Sequence, residues 1–128
     1  MIVGIGSDLC EQERVADAIA DRGKSMINRL FTTAEQSRAS AAREPAVVFA
    51  TCFVAKEACS KALGTGITER VRWTDIEVHV EAGCSYLHLT GGALRRARRL
   101  TGGRGPKTHL SITCRDGLAA AFVVIEAV

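Results

Sequence analysis

One uninterrupted helical stretch constrains this chain more than any other feature. From Phe49 to Leu63 the sequence is dominated by Ala, Phe, Lys, Glu and Leu, with no glycine before Gly64. Pro45 stands where a helix favours proline, and Gly64 is a natural C-cap, with Gly66 loosening the chain beyond it. Positions 49, 53, 57 and 61 recur at i+4 and share one side of that helix. They read Phe, Phe, Glu, Lys. An apolar stripe that gives way to an acid and a base is the expected surface of a core helix that emerges into a polar cleft.

The rest of the chain has to cover that helix. With 128 residues, 47% of them hydrophobic and 24% charged, the composition is that of one compact domain spanning residues 1–128. A core of that size is modest, and self-association is a way to cover leftover apolar surface. The formal net charge of +3 is too mild to indicate nucleic acid. Five cysteines, odd in number and without metal-type spacing, point to free thiols in a reducing compartment, so a cytoplasmic location is expected. Neither a signal peptide nor a membrane span is expected from the hydropathy pattern.

In order, residues 1–5 form a short buried strand, with Gly4 and Gly6 allowing close approach of another backbone and Asp8 arriving at the strand's far end. Val15, Ala16, Ile19 and Ala20 mark a helix from Glu11 to Arg22 that Gly23 stops, with Arg14, Arg22 and Lys24 making it basic. Residues 25–31 are expected to be irregular. Thr32 and Glu35 resemble a capping box ahead of a polar helix over 34–43. After the central helix, alternation predicts strands over 74–80 and 85–90, joined by a turn at Ala82-Gly83-Cys84. A basic helix carrying Arg95, Arg96, Arg98 and Arg99 follows, then a glycine-rich loop, then two strands around Arg115-Asp116-Gly117. The fold class is therefore α+β, a mostly antiparallel sheet packed against a long central helix.

Asp8 and Glu57 are the acids expected to be held within structure. Two carboxylates with open coordination positions suit Mg²⁺ carrying waters and a phosphate, and Lys61, one turn from Glu57, would face a phosphate oxygen. On spacing alone Glu57 and Lys61 at i+4 read first as an ordinary surface pair worth about 0.2–0.5 kcal/mol, and as a metal–phosphate site second. Spacing leaves both open. The arginine-rich helix has no interleaved aromatics, so nucleic-acid binding is not expected.

Four segments together carry a resemblance: Gly4-Ile-Gly-Ser-Asp-Leu9, Phe53-Val-Ala-Lys-Glu-Ala-Cys-Ser-Lys-Ala-Leu-Gly-Thr-Gly-Ile67, Trp73-Thr-Asp-Ile-Glu-Val78 and His109-Leu-Ser-Ile-Thr113. In that order they resemble the holo-acyl-carrier-protein synthase family, the short 4′-phosphopantetheinyl transferases, over essentially the whole chain. The resemblance implies that fold, and an enzyme that moves the 4′-phosphopantetheine arm of coenzyme A onto a serine of an apo acyl carrier protein. It implies Mg²⁺ on Asp8 and Glu57, and Lys61 beside the transferred phosphate. Coenzyme A contacts would fall at Lys61, Gly64, Thr65, Gly66, Ser111 and Thr113. Arg14, helped by Lys24, would meet the acidic carrier protein, and the active sites would lie between the subunits of a homotrimer.

The chain departs from the family pattern where Cys52 replaces an expected Arg, where Cys114 replaces an expected His, and at Gly83-Cys84-Ser85 in the middle hairpin. The missing Arg and His belong to the coenzyme A pocket in the resemblance, and loss of such a contact weakens binding by roughly 1.5–3 kcal/mol if nothing compensates. His88, His109 and the arginines over 95–99 are the candidates to compensate. The alternative to an active transferase is therefore a weakly active or non-catalytic relative that binds coenzyme A or a carrier protein.

Overall fold

The computed structural model describes residues 1–128. The chain runs β1 (Ile2–Glu11), α1 (Gln12–Arg22), α2 (Lys24–Leu30), α3 (Thr33–Ala41), α4 (Pro45–Ala62), a 3₁₀ turn (Trp73–Asp75), β2 (Ile76–Glu81), β3 (Cys84–Leu89), α5 (Gly91–Leu100), β4 (Pro106–Arg115) and β5 (Leu118–Ala127). The class is α+β as expected, and every strand pair is antiparallel. The strands form two sheets rather than one, of order β1-β5-β4 and β2-β3. The β4–β5 hairpin closes through Asp116 and Gly117, at φ 53° and 77°, the left-handed pair that a tight hairpin turn requires.

The central helix lies on the inner face of the larger sheet. Its buried residues include Cys52, Val54, Ala55, Ala58, Cys59 and Ala62, which meet Ala119, Ala121, Val123 and Ile125 of β5. Small side chains let the layers approach closely, and the two N-terminal glycines carry this to its limit. A Cβ at Gly4 would lie 2.1 Å from the carbonyl oxygen of Ala62, and one at Gly6 would lie 2.0 Å from that of Ala58. Strand backbone therefore rests directly on helix backbone. The period of two along β1 then turns Asp8 toward the same helix.

Two local expectations are corrected. Asp8 lies within β1 rather than at its end, because β5 continues to supply partners as far as Glu11, which pairs with Leu118. Residues 24–30 are helical, where irregular chain was expected; seven residues are too few for the periodicity of Met26, Ile27 and Leu30 to stand out. Gly64 ends α4 as expected: left-handed at φ 77° just after Leu63, it donates to the Lys61 carbonyl at 3.0 Å while the Thr65 amide donates to that of Ser60 at 3.3 Å. The capping box of α3 forms as expected: Thr32 accepts from the Glu35 amide at 3.2 Å, and Glu35 accepts from the Thr32 amide at 2.8 Å.

That same glutamate is the acid most deeply held inside the fold. The side chains of Glu35 and Lys56 are fully buried and paired at 2.8 Å. Lys56 also donates to the carbonyls of Trp73 and Ile76, and Glu35 accepts from the Val78 amide at 2.8 Å. Every polar atom of the pair is satisfied, so the pair joins α3, α4 and β2. No helix is long and apolar enough to cross a membrane.

Candidate active site

The close seating of α4 on β1 brings together residues far apart in sequence. Lys61 Nζ lies 3.0 Å from Asp8 Oδ1 and also donates to the Ser7 carbonyl at 3.1 Å. Asp8 and Glu57 line one cleft of about 360 Å³ together with Leu9, Arg14, Met26 and Phe53. Burial pushes the Glu57 carboxyl above its ordinary range, the charge of Asp8 pushes it further, and Lys61 opposes both. Arg14 and Lys61 are the cations nearby, but Lys61 pairs with Asp8 and Glu57 forms no ion pair of its own.

No group of three or more His, Cys, Asp or Glu side chains forms a closed metal cage. Asp8 and Glu57 are instead a two-carboxylate donor set, which fits a hard cation that keeps waters and accepts substrate phosphate oxygens. The ordinary surface pairing of Glu57 with Lys61 is not what forms: the lysine reaches across to Asp8.

The other expected residues separate into distinct places. The Gly64-Thr65-Gly66 turn follows α4 directly, but its amides are already used. Gly64 donates to the Lys61 carbonyl, and Thr65 and Gly66 both donate to that of Ser60. The turn therefore admits a ligand through its lack of side chains, a Cβ at Gly66 meeting open space. Ser111 and Thr113 sit on the exposed face of β4, alternating with Leu110 and Ile112, which pack on the core. Their face is the one opposite α4, so the structure does not bring them to Asp8, Glu57 and Lys61 within one copy of the chain.

Arg14 lines the cleft, whereas Lys24 lies on a different depression, beside Thr33 and Gln36. Sequence reasoning missed Arg29 and Met26. A groove of about 530 Å³, lined by Arg22, Met26, Arg29, Phe53 and Trp73, shares Met26 and Phe53 with the acidic cleft. Its floor is the stacked pair Phe53–Trp73, with centroids 5.3 Å apart. The i, i+3 spacing of Met26 and Arg29 was the available signal, hidden because α2 was not recognised as a helix.

The two cysteine departures do not share a pocket within the chain. Cys52 is fully buried, and Arg38 of α3 places Nη2 3.2 Å from its sulfur. Burial, with the nearby Glu35, pushes the Cys52 thiol up to about 12, with Arg38 and Lys56 opposing, so it is neutral. Cys114 faces inward at the hairpin end, 3.8 Å from Gln12 Oε1. His109 is engaged with Glu126 at 3.0 Å, and His88 lies edge-on to His79.

The model of the 4′-phosphopantetheinyl transferase superfamily matches residues 4–114. A holo-[acyl-carrier-protein] synthase of Chelativorans sp. is 46% identical over all of this chain and 98% of its own length. That of Brucella ovis is 45% identical over 99% of this chain and 96% of its own length. Among solved structures, the Neisseria meningitidis synthase superposes with a TM-score of 0.86 at 31% identity, covering 98% of this chain and 99% of its own. The Bacillus anthracis synthase, in complex with CoA (3′,5′-ADP), gives 0.82 at 32% identity, covering 100% of this chain and 99% of its own. With its helix-on-strand core and its convergent Asp8, Glu57 and Lys61, the chain belongs to the holo-[acyl-carrier-protein] synthase family of 4′-phosphopantetheinyl transferases.

Proposed function

We propose that this chain acts as one domain, residues 1–128, to transfer the 4′-phosphopantetheine arm of coenzyme A to a serine of an apo acyl carrier protein, with Asp8, Glu57 and Lys61 at the reacting centre. The observation that carries this reading is that Asp8 and Glu57, about fifty residues apart in sequence, line one cleft while Lys61 reaches across to Asp8. The serine oxygen forms a bond to the phosphorus that carries the pantetheine arm, the serine proton is released to water, the bond from that phosphorus to the bridging oxygen breaks, and adenosine 3′,5′-bisphosphate departs with the bridging oxygen. Such a reaction depends on positioning and on neutralising charge. Asp8 and Glu57 would hold Mg²⁺, which when bound supplies Lewis-acid polarisation of the phosphates. Lys61, which pairs with Asp8 here, would face a phosphate oxygen of the bound coenzyme A.

Arg14, Arg22 and Arg29 flank the groove that leads to the cleft, and with Lys24 they give this side the charge to steer an acidic carrier. The apolar floor of Met26 and Phe53 offers a surface for the carrier's apolar contacts.

The outer sheet face leaves Ile5, Leu9 and Phe122 exposed at 59%, 63% and 57%. A homotrimer covering that face, the number being that of the resemblance, would also let Ser111 and Thr113 serve a neighbour's coenzyme A. Five free cysteines suit a reducing cytoplasm.

The test is to incubate the full chain with Mg²⁺, coenzyme A and an apo carrier protein and to weigh the carrier. A mass gain of one phosphopantetheine is expected. No gain with several carriers would overturn the reading in favour of a binding protein.

A further inference from the structure

A second cleft opens on the far side of the residues that follow α4. It encloses about 470 Å³ and is lined by Thr65, Thr68, Arg70, Arg95, Arg96 and Arg99 among its eight residues, none of them acidic. None of the four arginines forms an ion pair, since the pairs in the structure are those of Lys56, Lys61, His79, His109 and Arg115. Arg95 and Arg99 are one helical turn apart, a like-charge spacing that works against the helix that carries them. No acid lines the cleft itself to offset this concentration of positive charge; the Asp75 carboxylate lies beyond Gly92.

The walls are held in place. Arg96 donates through Nε to the Leu63 carbonyl at 2.9 Å, which ties α5 to the end of α4 and leaves its terminal nitrogens free. Gly92 packs so closely that a Cβ there would meet the Arg70 carbonyl oxygen at 1.4 Å. Thr68 Oγ1 accepts from the amides of Arg70 and Val71, both at 3.1 Å, closing the loop that presents Arg70. A fixed concave site of one charge sign focuses its field on a small anion.

We infer that this cleft is a phosphate-binding site separate from the Asp8–Glu57–Lys61 centre. Planar guanidinium forks, with the unspent proton of the Thr68 hydroxyl beside them, match the oxygens of a phosphate monoester. The absence of an aromatic wall argues against a stacked nucleic-acid strand. The phosphate has two possible sources. One is the 3′-phosphate of coenzyme A, since Thr65 belongs to the turn just after Lys61; that assignment rests on the proposed function. The other is a free phosphate ion.

The test uses the full chain, the double variant Arg95→Ala/Arg99→Ala and the charge-matched control Arg104→Ala/Arg115→Ala. Helical content by circular dichroism checks folding, which alanine on an exposed helix face favours. Inorganic phosphate binding is followed by titration calorimetry, and KM is measured for coenzyme A and for coenzyme A lacking its 3′-phosphate. Loss of two charge-assisted contacts should weaken phosphate binding about tenfold or more in the first variant and little in the control. If KM rises about tenfold for coenzyme A alone, the phosphate is the substrate's own. If phosphate binding falls while neither KM moves, the site takes a free ion. Equal phosphate binding by all three proteins together with an unchanged ratio of the two KM values would overturn the inference. Transfer by the unmodified chain is scored separately, so a failed cleft leaves the proposed function standing, and a failed transferase leaves the phosphate titration decisive.

Discussion

Glu57 concentrates the opposing demands on this fold at one residue. Burial and the Asp8 charge raise its folded-state pKa above the unfolded value, so the native state holds this proton more tightly. Its ionised form is thus disfavoured by folding, and the metal-free protein loses stability as pH rises from the unfolded through the folded pKa. Below both values the effect vanishes. Glu57→Gln should therefore melt no lower than the unmodified chain at neutral pH in chelator, while carrier modification is abolished. A clearly lower melting temperature in calorimetry would show that Glu57 is structural, and normal transfer would remove it from the metal site. Glu57 and Lys61 were legible from spacing, yet the ion pair that forms is Lys61 with Asp8. Sequence alone cannot choose between an i+4 neighbour and a residue on another element.

At the level of elements, two contacts fix α4. One is the buried Glu35–Lys56 pair. Removing one partner leaves an uncompensated buried charge, so Lys56→Met should lose about 3–5 kcal/mol in urea unfolding. The double variant Glu35→Leu/Lys56→Met should recover much of that loss; equal loss in both would mean that the charge pairing matters less than the shape. The other contact is glycine against helix. Gly6→Ala sets a methyl 2.0 Å from a main-chain oxygen, with no flexible atom to yield. A loss of about 3 kcal/mol is expected, with reduced transfer even where the protein folds, because Asp8 moves away from α4. A variant with native stability and rate would contradict the role given to this contact. The capping box at Thr32 was readable as a motif, but that its glutamate also reaches Lys56 was not, because the pairing spans elements.

For the whole molecule, the outward face of β1-β5-β4 is the open question. Ile5, Leu9 and Phe122 form an apolar face too exposed for an isolated sheet, and Ser111 and Thr113 share it. Under the proposed trimer, Phe122→Glu should give a monomer by light scattering and lower transfer by about tenfold or more, since a neighbour's strand would no longer reach the site. A monomer of undiminished activity would show that one copy holds a complete site and would remove Ser111 and Thr113 from coenzyme A binding.

The sequence by itself determined the elements, α2 excepted, and their chemistry. Residues 45–63 had to be helical, alternation set the strands, and the four motifs marked the family. Local propensity and periodicity act within a few residues and so are written in the chain. Tertiary structure decided what meets what. It divided the strands into two sheets, extended β1 beyond Asp8 by pairing it with β5, buried Cys52 against Arg38, and turned Ser111 and Thr113 away from the carboxylates. Those outcomes depend on register and on packing between distant segments, energies that no single stretch of sequence contains.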